Sequence, residues 1–375
     1  MVPEVAGSNP VGRPIITHCM TQSVAEFAGV IAMSAFWTEA DFDDHEMVHF
    51  VRDRESGLTA IIAVHSTHLG PAAGGTRFWH YADGAAAIRD ALRLSRGMSY
   101  KNAMAELPAG GGKAVIVADE ARTKTPEMLA AFAKAVEGLS GRYITAQDVG
   151  MSEADMVSLS QHTSHVAGLP GQGGDPGPYT ARGVYLGVEA AAKRALGASD
   201  LKGVRIAIQG VGSVGGGLAR YCAAAGAELL LADVDRDRAK ALAEELNADV
   251  TDTDAVLSAD VDIVSPNALG AILTRESVET ISAKAIAGGA NNQLATGSEG
   301  RLLRETGILY APDYVINAGG IINVLRHIDG ADDDVINARI DKIPARLDAI
   351  WDQSSQSEEA ANEVADRMAK ALIGR

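Results

Sequence analysis

The sequence predicts an α/β fold of two domains separated by a cleft, the second built on a doubly wound parallel sheet. Its 375 residues suffice for about two domains. Apolar residues make up 47% of the chain and charged residues 22%, the balance of a chain that buries a core. Beyond about residue 168, β-prone runs alternate with helical stretches. Strands that alternate with helices predict a parallel sheet with helices on both faces.

The N-terminal part is expected to begin with an extension and a β-hairpin. Residues 1 to about 35 are predicted to be an N-terminal extension, either a flexible arm or sequence upstream of a start at Met33. From about residue 46, apolar residues alternate up to a polar turn at 53–57, and a second β-prone run follows to Val64. Two such runs around a glycine-containing turn predict a hairpin.

Helices and short strands are predicted after the hairpin. Asp83 fits the N-cap of a helix whose apolar residues recur at a spacing of 3.6. That helix is expected to stop at Pro108 and the three glycines 110–112. The remaining elements predicted here are a strand over 114–118, a helix from about Pro126 to Leu139 and a strand over 142–146.

The second half begins after a segment rich in glycine and proline, residues 168–178, which is predicted to be a linker. A helix is expected over 180–196, and the final segment, about 345–372, is helical by pattern. The β-prone runs between them predict strands over 204–209, 228–232, 261–264, 284–288 and 307–310.

The charge of the chain argues against two classes of partner. Acidic residues outnumber basic ones by 49 to 33, for a formal net charge of −16. An acidic surface repels phosphate backbones and anionic lipid headgroups, so we expect neither a nucleic-acid nor a membrane partner. We find no run of roughly 18 apolar residues that could span a bilayer, and no basic region of a signal peptide. We therefore expect a cytoplasmic protein.

Metal binding is not expected. Cys19 and Cys222 are too few for a disulfide framework or a four-cysteine zinc site, and Cys222 is predicted to lie in the core. The run from His45 to His49 matches H-E-x-x-H, which binds zinc only on a helix. This run is predicted as a strand, in which the two histidines would lie roughly 13 Å apart, too far for one ion.

A glycine-rich motif predicts a dinucleotide site. Residues 210–215 match G-x-G-x-x-G, follow the apolar run 204–208 and open a helical stretch, and Asp233 ends the next strand. In this context the loop and the helix N-terminus bind a pyrophosphate, and the carboxylate accepts hydrogen bonds from the ribose. Asp233 favours NAD, while Arg236 and Arg238 leave NADP as the alternative. The predicted loop residues are Gly210, Val211, Gly212, Ser213, Val214 and Gly215.

Three charged residues stand out in the first half. Lys101 ends a predicted helix, Lys113 follows three glycines and precedes an apolar strand, and Asp148 ends another strand. A lysine at the mouth of an apolar strand is open to desolvation, which lowers its pKa and suits it to act as a base or to polarise a carbonyl. By pattern alone, however, each residue also fits a surface charge at the end of an element, and the pattern favours that interpretation.

Six short sequence motifs indicate a resemblance to a known family. From about residue 40 onward the chain resembles the Glu/Leu/Phe/Val amino-acid dehydrogenase family, and within it most closely the leucine and phenylalanine dehydrogenases. The matching words are 70–77 (GPAAGGTR), 97–103 (GMSYKNA), 110–115 (GGGKAV), 145–150 (TAQDVG), 290–294 (ANNQL) and 311–320 (APDYVINAGG). The resemblance implies an NAD-dependent, reversible oxidative deamination of an L-amino acid to a 2-oxo acid and ammonia, carried out by a homo-oligomer.

The resemblance also implies roles for single residues. Lys101 would hold the substrate carboxylate, Lys113 would polarise the 2-oxo group and help activate water, and Asp148 would share proton transfer. Thr180 and Asn291 would lie near the nicotinamide. The other residues that the resemblance places in the site are Ala73, Gly74, Met98, Ile321 and Val324 for substrate, and Asn267 and Ala268 for cofactor.

The substrate is predicted from two of these positions. In the glutamate enzymes of the family, the position of Ala73 is a lysine and that of Val324 a serine, so a glutamate carboxylate would here be buried without a partner. We expect a leucine- or valine-like substrate. An aromatic, phenylalanine-like substrate is the alternative, because alanine is smaller than the leucine usual in leucine dehydrogenases. An unusual amino acid, and a non-catalytic nucleotide sensor on the same scaffold, stay open.

The predicted domain boundaries follow from these assignments. Residues 36–168 are expected to form the α/β domain for substrate binding and oligomerisation, and 169–349 the Rossmann-type NAD-binding domain. The C-terminal helix, about 350–375, is expected to pack back on the first domain.

Overall fold

The structure, a computed structural model, describes residues 36–171, 175–268 and 270–375. The predicted N-terminal extension, residues 1–35, lies outside the described residues. Residues 36–42 belong to a separate unit and contain a 3-10 turn at Phe36–Thr38. Residues 43–375 form one compact unit, and the predicted domain boundary near residue 168 stays a prediction.

The first sheet is mixed. Its strands are β1 (Met47–Arg52), β2 (Thr59–Ser66), β3 (Ala72–Trp79), β4 (Gly110–Val117) and β5 (Tyr143–Gln147). They are ordered β1-β2-β4-β3-β5, with β2 antiparallel to β1 and β4, and β3 parallel to β4 and β5. The predicted hairpin is confirmed, since Phe50 pairs with Ile61 across β1 and β2.

Helices α1 (Gly84–Met104), α2 (Pro126–Glu137) and α3 (Glu153–Ser160) accompany this sheet. The predicted N-cap of α1 is confirmed, because the Asp83 side chain accepts a hydrogen bond from the backbone N–H of Ala86. The helix ends at Met104, before the predicted stop at Pro108 and the glycines.

The prediction that the three glycines precede a strand over 114–118 is wrong. Strand β4 begins at Gly110 and includes all three, so Lys113 lies inside a strand and not at its mouth. A methyl group at Gly111 would collide with the backbone of Ser99 in α1, and one at Gly112 would lie 2.7 Å from the ring of Tyr143. Close packing on both faces therefore requires glycine in a strand, where propensity alone disfavours it. Strand β3, which contains Gly74 and Gly75, was not predicted for the same reason.

The second sheet is parallel and doubly wound, as predicted. It is built from β6 (Arg205–Gln209), β7 (Glu228–Ala232), β8 (Asp249–Val250), β9 (Ile263–Pro266), β10 (Ala285–Ile286) and β11 (Leu309–Tyr310), in the order β11-β10-β9-β6-β7-β8. Its helices are α4 (Gly177–Leu196), α5 (Ser213–Ala224), α6 (Arg236–Leu246), α7 (Arg275–Thr280) and α8 (Ser298–Glu305). Cys222 of α5 is buried and free, as predicted.

Several predicted boundaries in this half need correction. Helix α4 begins at Gly177 and not at 180, because Pro178 is compatible with the first turn of a helix. Strands β10 and β11 are two residues long, shorter than predicted, and β9 begins at Ile263 and not at 261. The two-residue strand β8 was not predicted.

The C-terminal part is helical. It contains α9 (Asp313–Ile316), α10 (Gly319–Val324), α11 (Arg326–Asp329), α12 (Asp333–Ile340), α13 (Ile343–Gln356) and α14 (Ala361–Leu372). The segment 345–372, predicted to be helical, forms two helices, interrupted where Ser357 adopts an extended backbone. Helix α14 packs against α1 beside the first sheet. In the described residues, no helix is both long and apolar enough to cross a bilayer.

Candidate active site

A lysine–aspartate pair connects the middle strand of the first sheet to the end of an edge strand. Lys113 lies in β4, an interior strand of that sheet, and is only 6% exposed. Asp148 directly follows β5. The Lys113 Nζ atom lies 2.6 Å from Oδ2 of Asp148, so two residues that are 35 positions apart form one ion pair, in which Lys113 is buried and Asp148 half-buried.

Arg77 of β3 completes this arrangement. Its Nε lies 3.2 Å from the same Oδ2 of Asp148, and its NH1 lies 2.8 Å from Oδ2 of Asp90 in α1. Strand β3 lies between β4 and β5, which brings the guanidinium to the pair. Arg77 was not predicted as a site residue, although it stands in the motif at 70–77.

The pKa values of the pair move in the same direction for different reasons. Burial lowers the pKa of the Lys113 amine, although the charge of Asp148 opposes that effect. Burial by itself would raise the pKa of Asp148, but the charges of Lys113 and Arg77 lower it below its usual value. Asp148 is therefore ionised at neutral pH, and Lys113 gives up its proton more readily than a solvated lysine.

Lys101 lies in the last turn of α1 and links the first sheet to the second half of the chain. Its Nζ donates to Oδ1 of Asn291 over 3.4 Å. Burial lowers its pKa to about 8, Asp313 opposes this shift, and the positive charge of Lys113 adds to it. Lys101 is thus close enough to Lys113 for their charges to interact.

Asn291 and its neighbours are held by residues that were not predicted to belong to the site. Asn317 Nδ2 donates to Asn291 Oδ1 over 2.8 Å and to the carbonyl oxygen of Gly289 over 3.1 Å. Asp313 accepts a hydrogen bond from the backbone N–H of Gln293 over 3.0 Å. Asn317 and Asp313 stand in the word at 311–320, but only the folded contacts connect them to Asn291 and Lys101.

The glycine-rich loop has the geometry that a pyrophosphate needs. A methyl group at Gly215 would collide with the carbonyl oxygen of Gly210, which explains glycine at the end of the word. Gly212 is the N-cap of α5, and a methyl group there would meet nothing within 4 Å. No side-chain hydrogen bond caps this helix, so its N-terminus at Ser213 and Val214 could hold an anion. Such a helix N-terminus favours an anion.

Asp233 follows β7 and is buried beside this loop. Its Oδ2 accepts from the backbone N–H of Val211 over 2.7 Å, and its Oδ1 pairs with Arg238 over 2.8 Å. Arg236 instead pairs with Asp252, away from this carboxylate. Open space at Gly212, a helix N-terminus without a side-chain cap and a carboxylate at the end of the next strand together fit a dinucleotide.

The loop after β9 contacts the glycine-rich loop as well. Asn267 Oδ1 accepts from the backbone N–H of Gly289 over 2.8 Å, and its Nδ2 donates to the main-chain and side-chain oxygens of Ser265. Ala268 packs against Gly210, where a methyl group would lie 2.7 Å from its Cβ. Both residues thus lie where the carboxyl ends of the parallel strands meet. This edge is where α/β sheets bind their ligands.

The remaining predicted residues lie at two places. Gly74 packs against the Met98 side chain, and Ala73 beside it is fully buried in the main core. Ile321 and Val324 are half-buried on α10, and Val324 faces Gly168. Thr180, in the first turn of α4, donates to the carbonyl oxygen of Pro176 and packs on Gly320.

The H-E-x-x-H word is divided between a loop and a strand. His45 precedes β1, is buried, and bonds to the carbonyl oxygen of Leu92 and the hydroxyl of Ser95, each over 3.0 Å. His49 is in β1. Among the described residues there is no group of three or more histidine, cysteine, aspartate or glutamate side chains that could hold a metal ion.

Two family models match the chain. Residues 45–165 match the model described as Glu/Leu/Phe/Val dehydrogenase, dimerisation domain. Residues 229–369 match the model described as Glutamate/Leucine/Phenylalanine/Valine dehydrogenase. Lys101, Lys113 and Asp148 lie in the first matched region, and Asp233, Asn267 and Asn291 in the second.

Individual proteins are similar over most of the chain. The leucine dehydrogenase of Bacillus subtilis is 45% identical, covering 88% of this chain and 92% of its own length. The valine dehydrogenase of Streptomyces albus is 44% identical, covering 88% and 93%. The crystal structure of L-tryptophan dehydrogenase from Nostoc punctiforme is 41% identical, covers 88% of this chain and 96% of its own, and superimposes with a TM-score of 0.80.

Proposed function

Because the chain belongs to the Glu/Leu/Phe/Val dehydrogenase family and is an amino-acid dehydrogenase, we propose that it deaminates an apolar L-amino acid to a 2-oxo acid and ammonia, reversibly and with NAD. The observation that carries this proposal is the convergence of Lys101, Lys113 and Asp148 from three separate elements. Lys101 also reaches Asn291, which lies on the side of the dinucleotide loop. The two cations, Lys101 and Lys113, and the carboxylate of Asp148 are the charges that this reaction needs.

Each charged residue has a defined task in this proposal. Lys101 pairs with the substrate carboxylate and thereby fixes the direction of the Cα–H bond. Lys113 stabilises the negative charge that develops on the substrate oxygen when water adds to the imine. Asp148, ionised and 2.6 Å from Lys113, accepts and returns the protons of water and of the amine.

The cofactor site is assigned to the glycine-rich loop and its neighbours. The N–H groups at the start of α5 would hold the pyrophosphate, and Asp233 would accept hydrogen bonds from the adenosine ribose. NAD(P), when bound, supplies the ring that takes or returns the hydride. Asp233 supports NAD, because a 2′-phosphate beside a carboxylate would be repelled. Asn291, which accepts hydrogen bonds from Asn317 and Lys101, would orient the amide of that ring.

An apolar substrate is supported by the side chains that line the predicted pocket. Met98, Ile321 and Val324 offer no charge to a substrate side chain, so a second carboxylate would be buried without a partner. Leucine- and valine-specific relatives support an aliphatic substrate. An aromatic substrate is the second candidate, because Ala73 is small and the similar structure from Nostoc punctiforme is a tryptophan dehydrogenase.

We also infer a homo-oligomer. The matched first region bears the description of a dimerisation domain, and it contains β1, an edge strand of the first sheet. Phe50, on β1, is 50% exposed in the single chain. An edge strand with an exposed aromatic residue is a suitable surface for a second copy of the chain.

The proposal is tested by following NADH consumption with ammonia and a panel of 2-oxo acids. We expect turnover of 4-methyl-2-oxopentanoate or 3-methyl-2-oxobutanoate and none of 2-oxoglutarate. Phenylpyruvate and indolepyruvate test the aromatic alternative. Lys113→Ala should lower kcat by about 100-fold or more, because it removes the cation at the reacting oxygen, while the Kd for NADH stays unchanged.

Lys134→Ala is the matched control, since Lys134 is an exposed lysine on α2. It should retain full activity. Near-normal turnover by Lys113→Ala would remove the catalytic assignment. If the wild-type protein binds NADH but turns over none of the 2-oxo acids in the panel, the proposed reaction is contradicted and the nucleotide sensor is favoured.

A further inference from the structure

We propose that Arg77, clamped by Asp90, is a positioning residue that fixes the carboxylate of Asp148 for proton transfer. This inference rests on the proposed role of Asp148. Arg77 itself makes its two ion pairs within the protein, to Asp148 on one side and to Asp90 on the other. It therefore acts on the reaction through Asp148 and not on the substrate directly.

The clamp is Asp90, which pairs with NH1 of Arg77, whereas Nε of Arg77 faces Asp148. Asp90 Oδ2 accepts from Arg77 NH1 over 2.8 Å and from the Tyr81 hydroxyl over 2.7 Å. The other oxygen of Asp90 pairs with Arg93 over 3.1 Å. Asp90 is only 13% exposed and Arg77 22%, so the ion pair is largely shielded from solvent. A guanidinium held at both ends has little freedom to rotate.

Two cations meet the same oxygen of Asp148. Lys113 Nζ lies 2.6 Å from Oδ2, and Arg77 Nε lies 3.2 Å from it. Because both contacts use Oδ2, the carboxylate cannot turn about its Cβ–Cγ bond without losing both, and Oδ1 keeps a fixed direction. A reacting group misplaced by about 1 Å can cost 100-fold in rate.

The backbone reinforces this position. A methyl group at Gly75 would lie 2.7 Å from the Asp148 Cβ, so β3 passes directly beside the aspartate. After Asp148, the backbone N–H of Phe78 donates to the carbonyl oxygen of Val149 over 2.9 Å. Strand β3 thus holds the main chain of the aspartate loop and, through Arg77, its side chain.

Charged and titratable groups from every neighbouring element act on the pair. Strand β3 contributes Arg77, α1 contributes Asp90 and Lys101, and β5 contributes Tyr143. Asp313 acts on the pair indirectly, because its charge raises the pKa of Lys101, whose charge interacts with that of Lys113. Among these groups Arg77 lowers the pKa of both Asp148 and Lys113, because a positive charge favours loss of a proton from each. Removing its charge should therefore raise both pKa values.

The test compares Arg77→Gln and Arg77→Lys in steady-state kinetics over a range of pH. Arg77→Gln should lower kcat by about 10- to 100-fold with little change in the KM for the 2-oxo acid, because Lys101 still holds the carboxylate. Its acid limb of kcat/KM should move to higher pH, since Asp148 loses a neighbouring cation. Arg77→Lys should lose kcat but keep the acid limb, because an ammonium retains the charge without the fork that reaches both carboxylates.

Asp90→Asn and Arg93→Gln separate the clamp from a general charge effect. Asp90→Asn should lower kcat as Arg77→Lys does, because Arg77 loses its anchor but keeps its charge. Arg93→Gln is the matched control, since Arg93 contacts the same aspartate from a 43% exposed position, and its profile should equal that of the wild type.

Wild-type kcat and an unmoved acid limb in Arg77→Gln would overturn the inference. A variant that binds NADH normally and has an unchanged thermal midpoint excludes unfolding as the cause of lost activity. If Arg77→Gln does not fold, Arg77→Lys decides alone, and wild-type kcat in it contradicts the clamp. Normal turnover by Asp148→Asn would instead overturn the proposed role of Asp148, which is a separate outcome.

Discussion

At the scale of single residues, burial decides between the two interpretations that the pattern left open for Lys113. A surface lysine at the end of a strand would be solvated, whereas Lys113 is 6% exposed and paired with Asp148. Burial of an ammonium without a counter-charge is costly, and Asp148 supplies that counter-charge to Lys113. Arg77 shares the same carboxylate, so the three residues act as one group. The overall charge of −16 does not indicate this local cluster of three cations, Lys101, Lys113 and Arg77.

The pKa of Lys101 gives a prediction at this scale. Its pKa of about 8 means that the free amine forms as the pH rises through that value, and an uncharged Lys101 cannot pair with a carboxylate. We expect kcat/KM for the 2-oxo acid to fall above about pH 8. In Lys101→Arg this decline should disappear, whatever the absolute rate, because a guanidinium stays protonated.

Lys193→Arg serves as the control for the Lys101 variant, since Lys193 is exposed on α4. It should keep the decline of the wild type. An unchanged decline in Lys101→Arg would assign the ionisation to another group, with Lys113 the first to test.

At the scale of elements, glycines determine how closely strands and loops approach their neighbours. Those of β4 allow Ser99 and Tyr143 to pack on opposite faces of the strand that carries Lys113. In the loop before α5 they serve two different purposes. Gly215 is needed for packing within the protein, whereas Gly212 borders open space.

Gly212 therefore permits a prediction that separates binding from folding. Gly212→Ala should fold normally, because its methyl group meets nothing within 4 Å. It should weaken NADH binding about 10-fold or more in a fluorescence titration, because the methyl group would occupy the path by which, in our proposal, the pyrophosphate approaches the backbone.

Gly84→Ala is the corresponding control, since Gly84 also borders open space but begins α1. It should bind NADH as the wild type does. Wild-type affinity of Gly212→Ala would show that the pyrophosphate does not pass this position.

At the scale of the whole molecule, the C-terminal helices connect the two sheets. Helix α14 packs against α1, and Arg375 beyond it donates to the carbonyl oxygens of Asp44 and His65, each over 2.7–2.8 Å. His65 is fully buried and its Nδ1 lies 2.8 Å from the Ser99 hydroxyl in α1. The last residues of the chain thus complete a buried polar cluster beside the first sheet.

This cluster predicts acid sensitivity of the fold. Burial lowers the pKa of His45 to about 4, and burial with the charge of Arg375 lowers that of His65 to about 3. Between about pH 6.5 and pH 4 the unfolded chain binds protons that the folded chain does not, so the free energy of unfolding falls as the pH falls. We expect each histidine to contribute a loss of about 2 kcal/mol between pH 7 and pH 5.

Urea unfolding at fixed protein concentration and at the two pH values measures this loss. His45→Asn should lose about 2 kcal/mol less than the wild type over the interval, whatever its stability at pH 7. His162→Asn, which replaces an exposed histidine, should lose as much as the wild type. Equal losses in His45→Asn and the wild type would contradict the prediction.

The sequence by itself determined the class of the fold and much of the candidate site. Alternating strands and helices predicted the doubly wound sheet, and the spacing of 210–215 and Asp233 predicted the dinucleotide loop. These features are local, because a periodic pattern or a turn depends on residues close together in the chain. The resemblance carried by words such as 97–103 and 145–150 supplied Lys101, Lys113 and Asp148.

Only the tertiary structure decided which residues act together. It turned the glycines 110–112 into part of a strand, because packing on both faces outweighs the low strand propensity of glycine. It brought Arg77 and Asp90 to the Lys113–Asp148 pair, and Asn317 to Asn291, across separations that no local pattern records. Electrostatic and hydrogen-bonding partners depend on distance in space, so the contacts of Arg77 and Lys113 with Asp148 become visible only when β3, β4 and β5 are side by side.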